Sequence, residues 1–174
     1  MRHGDAADGE GVGEGRSEDI MIATTNVRIY LDTCVYNRPF DDQAQPRIWL
    51  ETLAFSIILQ MIEDQAATLI TSTVVGYESN LHPDPVTHAW VMRCSALAQE
   101  NQFVDALIRQ GAEALAQEGF KALDALNIAC AEAATCDYFI TCDDRLLRRY
   151  KRKKVRYALA RQPSLWSWYL GGEG

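Results

Sequence analysis

Three short apolar runs limit what this chain can fold into. VRIYL (27–31), TLITS (68–72) and DYFITC (137–142) are rich in β-branched and aromatic residues and end in polar segments, so each reads as a buried strand. A weaker run, KVRYAL, follows at 154–159. Between the strands the apolar spacing becomes helical. Ile48, Trp49, Ala54, Phe55, Ile58, Leu59 and Ile62 fit one helix over 46–64, with Pro46 in its first turn. A further helix starts around 72–77 and is broken by HPDP at 82–85; others are predicted over 86–98, 105–117 and 122–135, with Gly119 separating the last two. Strands that alternate with helices predict a parallel sheet covered on both faces, a three-layer α/β/α fold.

In open parallel sheets, ligands bind beyond the C-terminal ends of the strands. Asp32 directly follows the first strand, and Asp143 directly follows the run at 137–142. Were those strands neighbours, about 4.8 Å apart, both carboxylates would face one slot. Like charges at that range oppose each other's ionisation, and a divalent cation relieves the conflict. Mg²⁺ and Mn²⁺ prefer such hard oxygen ligands. Glu78 follows the second strand by one or two turns, with Glu51 and Glu63 as rival acids on an earlier helix. Asp124 opens a helix whose dipole favours an anion. Any one of these acids is equally well a helix cap or a solvated carboxylate. Four of them at the same end of the sheet point to a metal site.

The formal net charge of −7 conceals an asymmetry. Residues 145–161 contain nine of the 17 Lys and Arg, among them Arg145, Arg148, Arg149, Lys151 and Arg152, and no acid. That is the footprint of a nucleic-acid binder, although a solvated helix face has the same composition. Residues 1–20 carry six acids, two arginines and five glycines. We read 1–25 as a disordered acidic tail, with Met21 the more typical start, and 26–170 as one domain. No apolar run reaches the ~20 residues that span a bilayer, and no signal peptide is evident, so a cytoplasmic protein without membrane contact is expected. The five cysteines include no CxxC pair and the three histidines are scattered, which argues for buried thiols rather than zinc ligands.

The strings IYLDTCVYNRPFDD (29–42), ALDALNIACAEA (122–133) and DYFITCDDRLLRR (137–149) resemble the PIN domain, the fold of VapC-like ribonucleases, and in particular a subgroup with an NRPFDD loop after the first strand. The resemblance covers about residues 27 to 150 and rests on the order of the motifs. It implies a sheet of order 3-2-1-4-5, with a short third strand at 102–104. It also implies an acidic quartet, Asp32, Glu78, Asp124 and Asp143, that holds Mg²⁺ or Mn²⁺ for hydrolysis of RNA phosphodiester bonds. Thr33 and Thr141 match the family's small hydroxyl positions. Asn37 in the NRPFDD loop is a further supporting residue, and Asp144, beside the quartet, would either orient the attacking water or cap a helix. Arg38 joins the basic residues from Arg145 to Arg152 as an expected RNA contact. Two departures stand out. Asn127 occupies a place where related proteins often carry His, and ALARQPSLW (158–166) only loosely matches the usual Asn-Pro ending.

The resemblance implies RNA as substrate and leaves a small antitoxin protein and a homodimer open as partners. Trp166, Trp168 and Tyr169 suit base stacking, but core packing or a dimer seam suits them better. The main alternative is a PIN-like module that binds RNA or protein without cutting. A haloacid-dehalogenase-like phosphatase also begins with Asp after its first strand, but it needs a second acid where this chain has Cys34.

Overall fold

The computed structural model describes residues 26–152. Four strands, β1 (Val27–Leu31), β2 (Ala67–Ser72), β3 (Glu100–Gln102) and β4 (Tyr138–Ile140), form one sheet of order β3-β2-β1-β4. Every pairing is parallel. Helices α1 (Thr33–Asn37), α2 (Pro46–Glu63), α3 (Thr73–Asn80), α4 (Pro85–Ser95), α5 (Ala106–Gln117), α6 (Ala122–Ala133) and α7 (Asp144–Arg152) connect or follow them, with a 3-10 turn at Arg38–Phe40. This is the α/β arrangement expected, with four strands among the described residues. The expected strand at 154–159 and the tail at 1–25 lie outside them. Among the described residues, no helix is long and apolar enough to cross a membrane.

β1 is central because both its neighbours bury it. Tyr30, Leu31, Leu69 and Ile70 are fully enclosed, and Tyr30 stacks on Phe139 at 5.6 Å between ring centroids. Pairing of Ile29 with Tyr138 and of Leu31 with Ile140 brings the ends of β1 and β4 level. The amide of Asp32 continues that ladder by donating to the carbonyl of Ile140 over 2.9 Å. The two strands that precede Asp32 and Asp143 are therefore neighbours that end at the same edge of the sheet.

Polar side chains set the helix starts. Ser72 caps α3 by accepting from the Val74 amide, Asp84 caps α4 at Val86 and Thr87, and Asp105 caps α5 at Ile108. Gln65 and Thr135, both at positive φ, turn the chain after α2 and α6, and Gly119 does so after α5.

Several boundaries differ from the periodicity. The helix expected over 86–98 stops at Ser95, and β3 lies two residues before the expected 102–104. β3 reads ENQ, whose side chains are polar and mostly exposed, so nothing apolar marks it as a strand. The run at 137–142 forms a strand only over its middle, because Asp137, Thr141 and Cys142 make side-chain or loop contacts instead. Trp49, one of the apolar residues at helical spacing, is 51% exposed. The core face of α2 runs through Ala54, Phe55, Ile58 and Ile62, and exposed Leu50, Leu53 and Ile57 blur its periodicity.

Candidate metal centre

Asp32 sits where β1 passes into α1 and is only 7% exposed. Its Oδ2 accepts from Thr141 Oγ1 at 2.7 Å and from Cys34 Sγ at 3.2 Å. Burial pushes its pKa up to about 6; these two donors pull the other way, and the charges of Glu78 and Asp124 add to the rise.

Glu78 lies in α3, whose start is fixed by the Ser72 cap. Its Oε2 accepts from Thr33 Oγ1 at 2.6 Å and from Asn127 Nδ2 at 2.8 Å. Asn127 is fully buried, and the Tyr30 hydroxyl donates to its Oδ1 at 2.7 Å. That hydroxyl also shares a 2.6 Å hydrogen bond with Ser72 Oγ. Residues from the first two strands, α1 and α6 thus hold one carboxylate. The rival acids are placed otherwise. Glu51 pairs with Arg38 and Arg47 at 2.7 and 2.8 Å, and Glu63 is exposed at the end of α2.

Asp124, in the first turn of α6, feels Asp143 and Glu78 as like charges. Burial is the largest cause of its raised pKa; Lys121 and Arg145 oppose the rise. Asp143 caps α7: its Oδ1 accepts from the amides of Arg145 and Leu146 at 2.7 and 3.3 Å. Its own amide donates to Thr141 Oγ1 at 3.1 Å. Thr141 therefore links two of the four acids.

The four carboxylates lie within electrostatic reach of one another, Asp32 through Glu78 and Asp124, and Asp124 through Asp143. Among the described residues, Asp32, Glu78 and Asp143 are each anchored through one oxygen. Among the described residues, the second oxygen of each and both oxygens of Asp124 take no hydrogen bond. No group of three or more His, Cys, Asp or Glu side chains that could hold a metal ion is assembled among the described residues. The donor set, all carboxylate oxygen and without imidazole, suits Mg²⁺ or Mn²⁺.

Other sequence candidates fall elsewhere. Asp144 forms a two-pronged pair with Arg47 at 2.6 and 2.8 Å. The cap role belongs to Asp143. Asn37 shares no hydrogen bond with the acids, and its buried Oδ1 has no partner among the described residues. Arg38 is held by Asp41 at 2.8 Å and Glu51 at 2.7 Å, so it ties the NRPFDD loop to α2 instead of projecting as a free cation. Arg149 donates to the Gly119 carbonyl and lies over the Phe120 ring at 6.0 Å. Arg145 and Arg148 are exposed on α7, while the side chains of Lys151 and Arg152 fall outside the described set.

The sequence reading missed Lys121 and Cys34. Lys121 is the residue before α6, where a cation opposes the helix dipole, and that mismatch is the signal that could have marked it. Cys34 carries no such mark, because a single cysteine after a strand reads as core. No protein-family model matches the chain, and no curated protein matches it.

Proposed function

We propose that the chain is a PIN-like, Mg²⁺- or Mn²⁺-dependent endoribonuclease. Asp32, Glu78, Asp124 and Asp143 would hold the metal. When bound, the ion supplies charge neutralisation at the scissile phosphate and a lowered pKa for the attacking water. Thr141 and Cys34 fix the orientation of Asp32, Thr33 and Asn127 fix Glu78, and the start of α7 fixes Asp143. Lys121 and Arg145 sit close enough to Asp124 to offset its charge, and they offer positive potential to an approaching phosphate backbone.

The observation that carries this reading is the one-sided anchoring. Three acids are each pinned by one oxygen, next to a fourth whose pKa, like that of Asp32, is raised chiefly by burial and further by its acidic neighbours. Asp32 and Glu78 have no ion pair among the described residues, whereas a site built only for stability would neutralise such charges with Lys or Arg. The test is cleavage of a single-stranded RNA with added Mn²⁺ by wild-type, Asp32→Asn and Asp143→Asn proteins purified in parallel. The wild type should cut and lose activity to a chelator, and both variants should fall to background. Equal cleavage by the variants would overturn the proposal. Mn²⁺ binding with no cleavage would favour the non-cutting module. A toxin role would require growth arrest on expression alone and rescue by a small co-expressed partner.

A further inference from the structure

Two cysteines meet at the strand ends beside the acids. Cys34, in the first turn of α1, and Cys142, two residues beyond β4, lie past the paired residues Leu31 and Ile140 of adjacent strands. The Cys142 amide donates to Cys34 Sγ at 3.2 Å, which brings the two residues side by side. Both are partly accessible, whereas Cys94, Cys130 and Cys136 are buried. Cys34 also approaches Thr141 Oγ1 at 3.3 Å while its thiol donates to Asp32. The pair therefore adjoins the same carboxylate oxygen that positions Asp32.

We propose that Cys34 and Cys142 form a peroxide-sensitive dithiol, and that its oxidation to a disulfide weakens metal binding at the neighbouring acids. The metal-binding part rests on the proposed function; the disulfide part does not. One thiol sulfur attacks hydrogen peroxide, the O–O bond breaks, and water leaves as a sulfenic acid forms. The second thiol attacks that sulfur, expelling a second water and closing the S–S bond. Two thiols lose two electrons and two protons, and one peroxide is reduced to two waters. In the disulfide Cys34 has no proton to donate, so Asp32 Oδ2 keeps only Thr141. The freed carboxylate turns away from the geometry that its two donors impose.

The test uses the full chain, reduced and desalted, then treated with stoichiometric hydrogen peroxide, alkylated and digested without reductant. Mass spectrometry should find Cys34 joined to Cys142 with the loss of two hydrogens. Fragmentation must separate Cys142 from Cys130 and Cys136, which share its tryptic peptide. Mn²⁺ affinity, measured by calorimetry, should fall at least about tenfold on oxidation and return with dithiothreitol. Cys142→Ser should bind Mn²⁺ as the reduced wild type does and ignore peroxide. Free thiols, separate over-oxidation or a different linkage would overturn the pairing. A Cys34–Cys142 disulfide that leaves Mn²⁺ affinity unchanged would overturn the coupling. If the reduced wild type binds no Mn²⁺, the proposed function fails, and the pairing is decided by the mass alone.

Discussion

Asn127 Nδ2 donates to Glu78 Oε2 over 2.8 Å, tying the middle of α6 to the one candidate ligand that α3 supplies. The amide is itself oriented, since Tyr30 donates to its Oδ1 at 2.7 Å. Asn127 can thus serve only as a donor toward Glu78.

Replacing Asn127 with Asp keeps the shape but puts an anion against Glu78. Losing a buried donor and pairing two carboxylates should cost about 3 kcal/mol at neutral pH. The cost should shrink at pH 5, where one of the two can hold a proton. Urea unfolding of wild-type and variant proteins at both pH values checks this. Equal losses at the two pH values would show that the two side chains are not in contact.

Asp32 predicts a pH dependence for the metal-free protein. Burial raises its pKa from 3.8 to about 6, equivalent to about 3 kcal/mol. Between these values the folded chain holds a proton that the unfolded chain has released. The contribution to stability is therefore complete below pH 3.8 and is lost as pH rises through 6. Asp32→Asn, which keeps an acceptor for Thr141 and Cys34, should flatten this part of the profile and unfold later than wild type at pH 7 in chelator. Added Mn²⁺ should stabilise the wild type and not the variant. Thermal unfolding across the pH range, with and without Mn²⁺, measures both effects.

Thr141 holds Asp32, receives the Asp143 amide and meets Cys34 Sγ, so Thr141→Val removes three contacts at once. We expect a stability loss of about 1–3 kcal/mol and Mn²⁺ binding weakened about 10- to 100-fold. Thr141→Ser should restore most of both. If Ser fails to restore Mn²⁺ affinity while restoring stability, the hydroxyl does not act through the acids.

Asp143 and Asp144 are adjacent in sequence but separate in role. The Arg47–Asp144 pair is close to half-exposed at both ends, so its loss should change stability by no more than about 1 kcal/mol. Asp144→Ala should retain nearly all RNA cleavage and Asp143→Ala should abolish it. Loss of cleavage in both, measured side by side with folded proteins, would restore Asp144 to the site.

What the sequence made legible follows from pattern length. The buried strands around Tyr30 and Leu69 and the long helix α2 repeat their apolar residues often enough to be read. α1 has five residues and β3 three polar ones, too few for any period to show. Asp32 and Asp143 could be placed together because parallel strands end at the same edge. The buried relay from Tyr30 and Ser72 through Asn127 to Glu78 could not, because its members come from four separate elements and each alone reads as core or cap. Arg38 and Asp144 went the other way. Their residue types suited RNA and water, but the ion pairs that bind them depend on the path of the NRPFDD loop against α2.

Asp32, Glu78, Asp124 and Asp143 are proposed to hold one metal centre. Anomalous scattering from a Mn²⁺-soaked crystal tests it most directly. The account predicts a peak between those four carboxylates, with oxygen ligands at about 2.0–2.2 Å, that is lost in Asp32→Asn. A peak elsewhere on the protein, or none at a Mn²⁺ concentration that supports cleavage, would contradict it.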